Sequence, residues 1–290
     1  MFGFNKIADL ISLAEEKQMP LHAFVIAYEM DMSRKPRWEI MQGMLHNWRV
    51  MREAIEKGLQ NKSRSLSGLT GGDAVKLRQY KDSYLGDTAL RAATCAIGTA
   101  EINACMGRIV ACPTAGSCGI VPAALYAAAE KMHLYEENVV NALFTAAGIG
   151  MVIEQNACIA GALGGCQAEC GAAAGMAAGA LVELAGGTPR QIGHGVALAI
   201  KNMLGLACDP VAGLVEVPCV KRNGFATVHA MLAADMALAG VESVIPVDEV
   251  IAAMDSIGKS LPESIRETGD GGLAVTETGK ALREKIFGTN

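Results

Sequence analysis

From Cys170 to Gly187 the chain reads Cys-Gly-Ala-Ala-Ala-Gly-Met-Ala-Ala-Gly-Ala-Leu-Val-Glu-Leu-Ala-Gly-Gly, its longest apolar stretch. Glu183 interrupts the run, and alanine and glycine supply most of it. A segment of that kind reads as a helix enclosed by protein, not as a membrane span. Helices faced with such small residues let their neighbours approach closely, so the chain is constrained to tightly packed helices. The bias is general. Of 290 residues, 51% are hydrophobic but only 4% aromatic, so Ala, Gly, Leu, Val and Met must build the core. We expect an all-α fold, a bundle of Ala/Gly-rich, closely packed helices. Residues 1–290 form a single domain in this reading, with 1–60 a helical N-terminal region packing on it.

Local signals agree with helices. Trp38, Met41, Leu45, Trp48 and Ile55 recur at helical spacing and form an apolar stripe, for the core or a subunit interface. Thr188-Pro189-Arg190-Gln191 combines an N-cap Thr, Pro at the first helical position and Gln three residues on. That helix should run to about Leu206. Pro218 should open another, to Ala239, with Gly240 closing it. Pro122 should open one running to Met132, and a short helix over Thr276 to Phe287 should end at Gly288. The best β-branched run, Val244 to Val250, is broken by Pro246 and Asp248-Glu249. Residues 60–73, rich in Ser, Gly and Thr, read as a long loop.

A net charge of −5 argues against a nucleic-acid partner, because phosphate binding needs clustered Lys and Arg. Lys6 and Asp9 break any secretory apolar segment near the N-terminus, so a cytoplasmic protein without a membrane segment is expected. In that compartment the nine cysteines are thiols, not disulfides. The absence of Cys-x-x-Cys speaks against a zinc ribbon. Cys95, Cys105, Cys158 and Cys170 sit among small apolar residues and read as packing thiols.

Cys166, Cys208 and Cys219 differ, because they lie at helix edges beside Gly and Pro. Cys219 falls in a first helical turn, where the dipole favours the thiolate that binds metal. A second feature is Pro113-Thr-Ala-Gly-Ser-Cys-Gly119, a turn with two hydroxyls that leads into a helix. Thr114, Gly116, Ser117 and Gly119 offer a carboxylate cradle there, though the pattern by itself reads first as an ordinary capped turn. Asn156 and Gln167 lie in apolar segments, where an amide either binds substrate or ties helices together. Lys221 and Arg222 follow Cys219 and add positive charge. The five histidines lie outside every one of these segments.

Ala111-Cys-Pro-Thr-Ala-Gly-Ser-Cys-Gly-Ile-Val-Pro122, Gly164-Gly-Cys-Gln-Ala-Glu169 and Cys208-Asp-Pro-Val-Ala-Gly-Leu-Val-Glu-Val-Pro-Cys-Val-Lys-Arg-Asn223 resemble the signatures of the iron–sulfur L-serine dehydratases. Ser67-Gly-Leu-Thr-Gly-Gly-Asp-Ala74 and Arg266-Glu-Thr-Gly-Asp-Gly-Gly-Leu-Ala274 resemble the α-chain of that family's two-subunit form. The resemblance implies an all-α catalytic domain and a [4Fe–4S] cluster held by Cys166, Cys208 and Cys219. It implies conversion of L-serine to pyruvate and ammonia, an open iron polarising the substrate hydroxyl. No pyridoxal phosphate is expected, since nothing has the α/β pattern of folds that hold it. Thr114, Gly116, Ser117, Gly119 and Asn156 become candidate substrate-binding residues.

The base has no clear candidate in this chain. The family's Ser-His-Thr motif on its other domain is missing, so a β-subunit is expected to complete the site, within an oligomer. Lys221 is the in-chain substitute. Cys112 and Cys118 stand where relatives often carry small or aliphatic residues. Alternatives from the sequence are a related lyase such as an L-cysteine desulfidase, or a non-catalytic iron–sulfur sensor. The first cysteine being Cys95 counts against the former.

Overall fold

The computed structural model describes residues 4–288. The N-terminal helices are α1 (Ile7–Lys17), α2 (Leu21–Ser33) and α3 (Arg37–Gly58). The short α4 (Asp73–Gln79) leads to α5 (Asp87–Ala104), α6 (Ile120–Met132) and α7 (Glu136–Asn156). A single turn, α8 (Gly161–Gly164), and a π-helical segment, Gln167–Gly171, precede α9 (Ala172–Leu184). The chain closes with α10 (Pro189–Lys201), α11 (Cys219–Leu238), α12 (Val247–Ser260) and α13 (Glu277–Phe287). No strand occurs among the described residues; one isolated parallel bridge joins Cys208 to Arg266.

The Ala/Gly run becomes the centre of the bundle. Every residue of α9 from Ala172 to Val182 is buried, and α6, α7, α10 and α11 all pack on it. Its glycines act as notches. Ile200 and Val196 of α10 lie against Gly175, while Ile149 of α7 and Ile192 of α10 lie against Gly179. A glycine within a helix costs about 1 kcal/mol against alanine, so these two positions are explained by close packing and not by propensity. Gly58 of α3 and Gly98 of α5 meet in the same way, backbone against backbone. The α1–α3 region contributes Ile7, Leu10, Val25, Trp48 and Met51 to the same buried cluster as α9.

Most helix ends follow the local chemistry. Thr188 accepts a hydrogen bond from the Gln191 amide, and Gln191 bonds back to the Thr188 amide. Thr276 caps α13, and Gly288 ends it with φ of 82°. Pro218 stands just before α11, and Gly240 follows its end with φ of 87°. Other expectations are corrected. Helix α10 stops at Lys201, not Leu206, because the Asn202 amide takes the Leu198 carbonyl and Gly205 is left-handed. Helix α6 begins at Ile120, placing Pro122 third, still within the turn whose N–H groups lack helical partners. The β-branched run forms no strand, in keeping with its breaks at Pro246 and Asp248-Glu249: Val244 adopts φ of 64° and Pro246 opens α12. The early apolar stripe also divides: Trp48 and Ile55 are buried, whereas Trp38 faces outward. Among the described residues no helix is long and apolar enough to cross a membrane.

Candidate active site

Three separate pieces of backbone bring Cys166, Cys208 and Cys219 near enough to interact, all of them buried. Gly165 turns the chain with φ of 75°, and Cys166 then leads into the π-helical segment. Gln167 locks this corner: its amide nitrogen donates to the Met254 carbonyl at 2.8 Å, and its oxygen accepts from Gly205 N–H at 2.9 Å. Gln167 is therefore a tie between helices. Cys208 is clamped by the later segment that begins at Ile265: its N–H donates to the Ile265 carbonyl at 2.8 Å, and its carbonyl accepts from Glu267 N–H at 2.7 Å. Cys219 is the first residue of α11.

The connector between Cys208 and Cys219 is pinned at both ends. Buried Asp209 pairs with Arg222 at 3.0 Å and accepts from Leu273 N–H at 2.9 Å. Glu216 accepts from the Ser65 and Ser67 hydroxyls at 2.5 and 2.8 Å, which fastens the hydroxyl-rich loop onto the connector. Ala212 adopts a left-handed φ of 59° between these anchors, a conformation that persists only where the surroundings impose it.

The thiols influence one another. Hydrogen bonds from Cys170 and Cys208, helped by Arg222, outweigh burial and hold the Cys166 thiol well below its usual range. Cys208 is pushed the other way, first by its bond to Cys166 and then by burial. Burial, with the charge of Cys166, pushes Cys219 up to about 12. Cys170, read from sequence as packing, lies with its Sγ 3.4 Å from that of Cys166. Among the described residues no three His, Cys, Asp or Glu side chains are arranged to hold one metal ion. The three gathered thiols are a soft donor set, of the kind that takes iron–sulfur clusters more readily than hard cations.

The turn at 113–119 docks against this pocket through Asn223, which is fully buried one helical turn after Cys219. Asn223 Oδ1 accepts from Gly119 N–H at 2.9 Å, and its Nδ2 donates to the carbonyls of Gly116 and Cys219 at 2.8 and 3.0 Å. The Gly119 amide is thus engaged. Ser117 is also buried, and its hydroxyl serves the turn itself, contacting Thr114 and the Cys112 carbonyl. Thr114 faces the pocket, donating its hydroxyl to Glu169 Oε1 at 2.6 Å. Gly116 lies against the same carboxylate, 3.1 Å from Oε1 to the point where a Cβ would stand. Burial pushes Glu169 up to about 7 despite the Thr114 bond, with the charges of Cys166 and Glu267 acting in the same direction.

The remaining candidates lie elsewhere or are engaged. The exposed Asn156 ends α7, and its amide donates to the carbonyls of Asn5 and Val152. It contacts none of the residues above. Lys221 pairs with Asp73 at 2.7 Å and is 41% exposed. His22 meets Glu183, His46 meets Arg108, His194 accepts from Ser243 N–H, His229 contacts the Ala199 carbonyl and His133 ends α6. Cys112 and Cys118 are buried and pushed up to about 12 by that burial.

Glu169, Glu267 and Asn223 are the site residues that the sequence reading passed over. The signals available in the sequence were an acidic residue in an apolar run, an acidic residue inside the Arg266–Ala274 motif, and an amide four positions after Cys219.

The serine dehydratase alpha chain family model matches residues 16–274. The Bacillus subtilis protein named "Probable L-serine dehydratase, alpha chain" is 53% identical over 288 residues, covering 98% of this chain and 96% of its own. The L-serine dehydratase alpha chain of Peptoniphilus asaccharolyticus is 43% identical, covering 98% of both chains. The L-serine dehydratase of Streptomyces coelicolor is 38% identical, and the match covers 94% of this chain but 61% of that longer protein. With the matched region spanning both the thiol pocket and the turn docked on it, this chain belongs to the serine dehydratase alpha chain family.

Proposed function

We propose that this chain is the cluster-binding half of an L-serine dehydratase, converting L-serine to pyruvate and ammonia. The observation that carries the reading is the gathering of Cys166, Cys208 and Cys219 from three segments beside the Thr114–Gly119 turn. Relatives at 53% and 43% identity carry the name L-serine dehydratase, alpha chain.

Three thiols in one buried pocket are the donor chemistry that a [4Fe–4S] cluster takes. When bound, such a cluster with three protein ligands supplies an open iron, a Lewis acid for the substrate hydroxyl. The chain's own residues orient the substrate and shield it. Thr114 and the backbone at Gly116 face the pocket and contact the substrate, while Ser117, Gly119 and Asn223 hold the turn in shape. Arg222, fixed by Asp209, sets a positive charge beside Cys166. Loss of the α-proton and of hydroxide gives aminoacrylate and water; hydrolysis then yields pyruvate and ammonia with no net oxidation.

None of the five histidines lies at the pocket, and Lys221 is bound to Asp73. A second chain would supply the base. Two relatives are named alpha chains, and the Streptomyces coelicolor enzyme carries further protein beyond the matched region. The test is pyruvate release from L-serine by anaerobically reconstituted protein, with and without the second chain. Activity only in the pair supports the reading. Full turnover by this chain alone places the base within its 290 residues, and no pyruvate under either condition refutes it.

A further inference from the structure

We propose that Glu169 and Glu267 form the seat for the α-ammonium group of the amino-acid substrate, with Gly161 lacking a side chain so that both carboxylates can approach. This rests on the dehydratase reading and adds to it the part of the site that distinguishes an amino acid from a hydroxy acid.

The two carboxylates converge on one point. A Cβ placed on Gly161 would stand 2.7 Å from Glu169 Oε2, 3.1 Å from Glu267 Oε2 and 3.2 Å from Cys208 Sγ. Two acidic oxygens and a candidate ligand sulfur therefore close around Gly161 so tightly that no side chain fits there, which holds both carboxylates beside Cys208. The orientation of Glu169 is fixed from behind, since the Thr114 hydroxyl holds Oε1 and leaves Oε2 toward Gly161. Glu267 is placed by its backbone, whose N–H donates to the Cys208 carbonyl.

Neither carboxylate is balanced by a cation of this chain among the described residues. Lys221 pairs with Asp73, Arg222 with Asp209, and Arg266 reaches toward the Leu163 carbonyl. Two carboxylates facing one another without a counter-charge repel, and Glu267 contributes to the upward shift of Glu169. A substrate ammonium carries three N–H donors and a positive charge, and it satisfies both oxygens at once. Its position next to Cys208 matches the chemistry, because in serine the ammonium and the hydroxyl stand on adjacent carbons. A hydroxy acid gains nothing from this seat, so the two residues determine specificity.

The test compares two unreactive analogues on the anaerobically prepared holoenzyme with its second chain. L-Alanine keeps the ammonium and lacks the hydroxyl; 3-hydroxypropionate keeps the hydroxyl and lacks the ammonium. Binding of each is measured by calorimetry, so the readout does not depend on turnover. Glu169→Gln keeps an oxygen for Thr114 and should bind L-alanine about tenfold more weakly or worse, with 3-hydroxypropionate changed by less than about twofold. Glu267→Gln, outside the π-helical segment, should act in the same direction and guards against a folding defect in the first variant. Equal weakening of both analogues would make the carboxylates structural and overturn the inference. So would unchanged L-alanine binding accompanied by loss of kcat for L-serine, which would make Glu169 a proton acceptor instead. Wild-type protein that binds 3-hydroxypropionate but not L-alanine also overturns it. Wild type that binds neither and releases no pyruvate from L-serine removes the dehydratase reading, and this inference with it.

Discussion

Truncating Asn223 to alanine should loosen the turn at 113–119 from the thiol pocket, and the size of the effect follows from its three hydrogen bonds. The Cys219 carbonyl keeps its helical bond within α11, so it loses little. The Gly119 N–H and the Gly116 carbonyl are left without partners. A buried polar group without a partner costs about 1–3 kcal/mol. Gly119 is buried and takes the upper part of that range; Gly116 is only half-buried and takes the lower. The expected loss is therefore about 3–5 kcal/mol, a large share of the roughly 5–15 kcal/mol typical of a folded domain. Urea unfolding of anaerobically purified protein measures it as a lower midpoint at unchanged slope. Amide exchange supplies the local readout, since Gly119 should lose protection while the amides of α9 keep theirs. A midpoint shift worth less than about 0.5 kcal/mol, as at an ordinary surface position, would refute the assignment of Asn223 as the tie between turn and pocket.

Replacing Gly58 with alanine should destabilise the protein by at least about 1–3 kcal/mol, as overpacking does, because the added Cβ meets the Gly98 backbone; thermal unfolding tests this, and an unchanged Tm would show that α3 and α5 separate freely. Glu101 is wholly buried, one oxygen accepting from Asp73 N–H and the other without a partner, and burial raises its pKa. Its folded form therefore holds a proton that the unfolded chain releases more readily, so its contribution is intact below the unfolded pKa and declines as pH rises through the folded one. Glu101→Gln should gain stability relative to wild type as pH rises from acid to neutral, and parallel stability–pH curves for the two would contradict this. Serine at Cys166, Cys208 or Cys219 should sharply lower the iron content and brown colour of anaerobically reconstituted protein, and full iron in all three variants would refute the ligand set.

Features encoded over a few residues were legible without the structure. The Thr188–Gln191 capping box and the Ala/Gly run of α9 depend on neighbours in sequence, and both appear as read. Where a local rule failed, a competing local bond was responsible, as with Asn202 at the end of α10. The site was legible only in part. Its three cysteines stood out through motifs, but the roles of their supports come from distant contacts. Thr114 meets Glu169 across 55 positions and Gly119 meets Asn223 across 104. No periodicity reports such pairs. Asn156 shows the converse, a polar residue in an apolar helix whose amide serves its own helix end and the Asn5 carbonyl.

The clamp on Cys208 sets an order of events during synthesis. Both backbone bonds at Cys208 come from Ile265 and Glu267, and Asp209 is held by Leu273. A nascent chain that has emerged from the ribosome only through Cys219 possesses every sulfur of the pocket, yet lacks the strip that fixes one of them. The Cys208 thiol of such a chain is present but unclamped, and remains so until some fifty further residues have been translated. A message truncated before Ile265 would therefore yield a protein with its cysteines intact but without the backbone partners of Cys208.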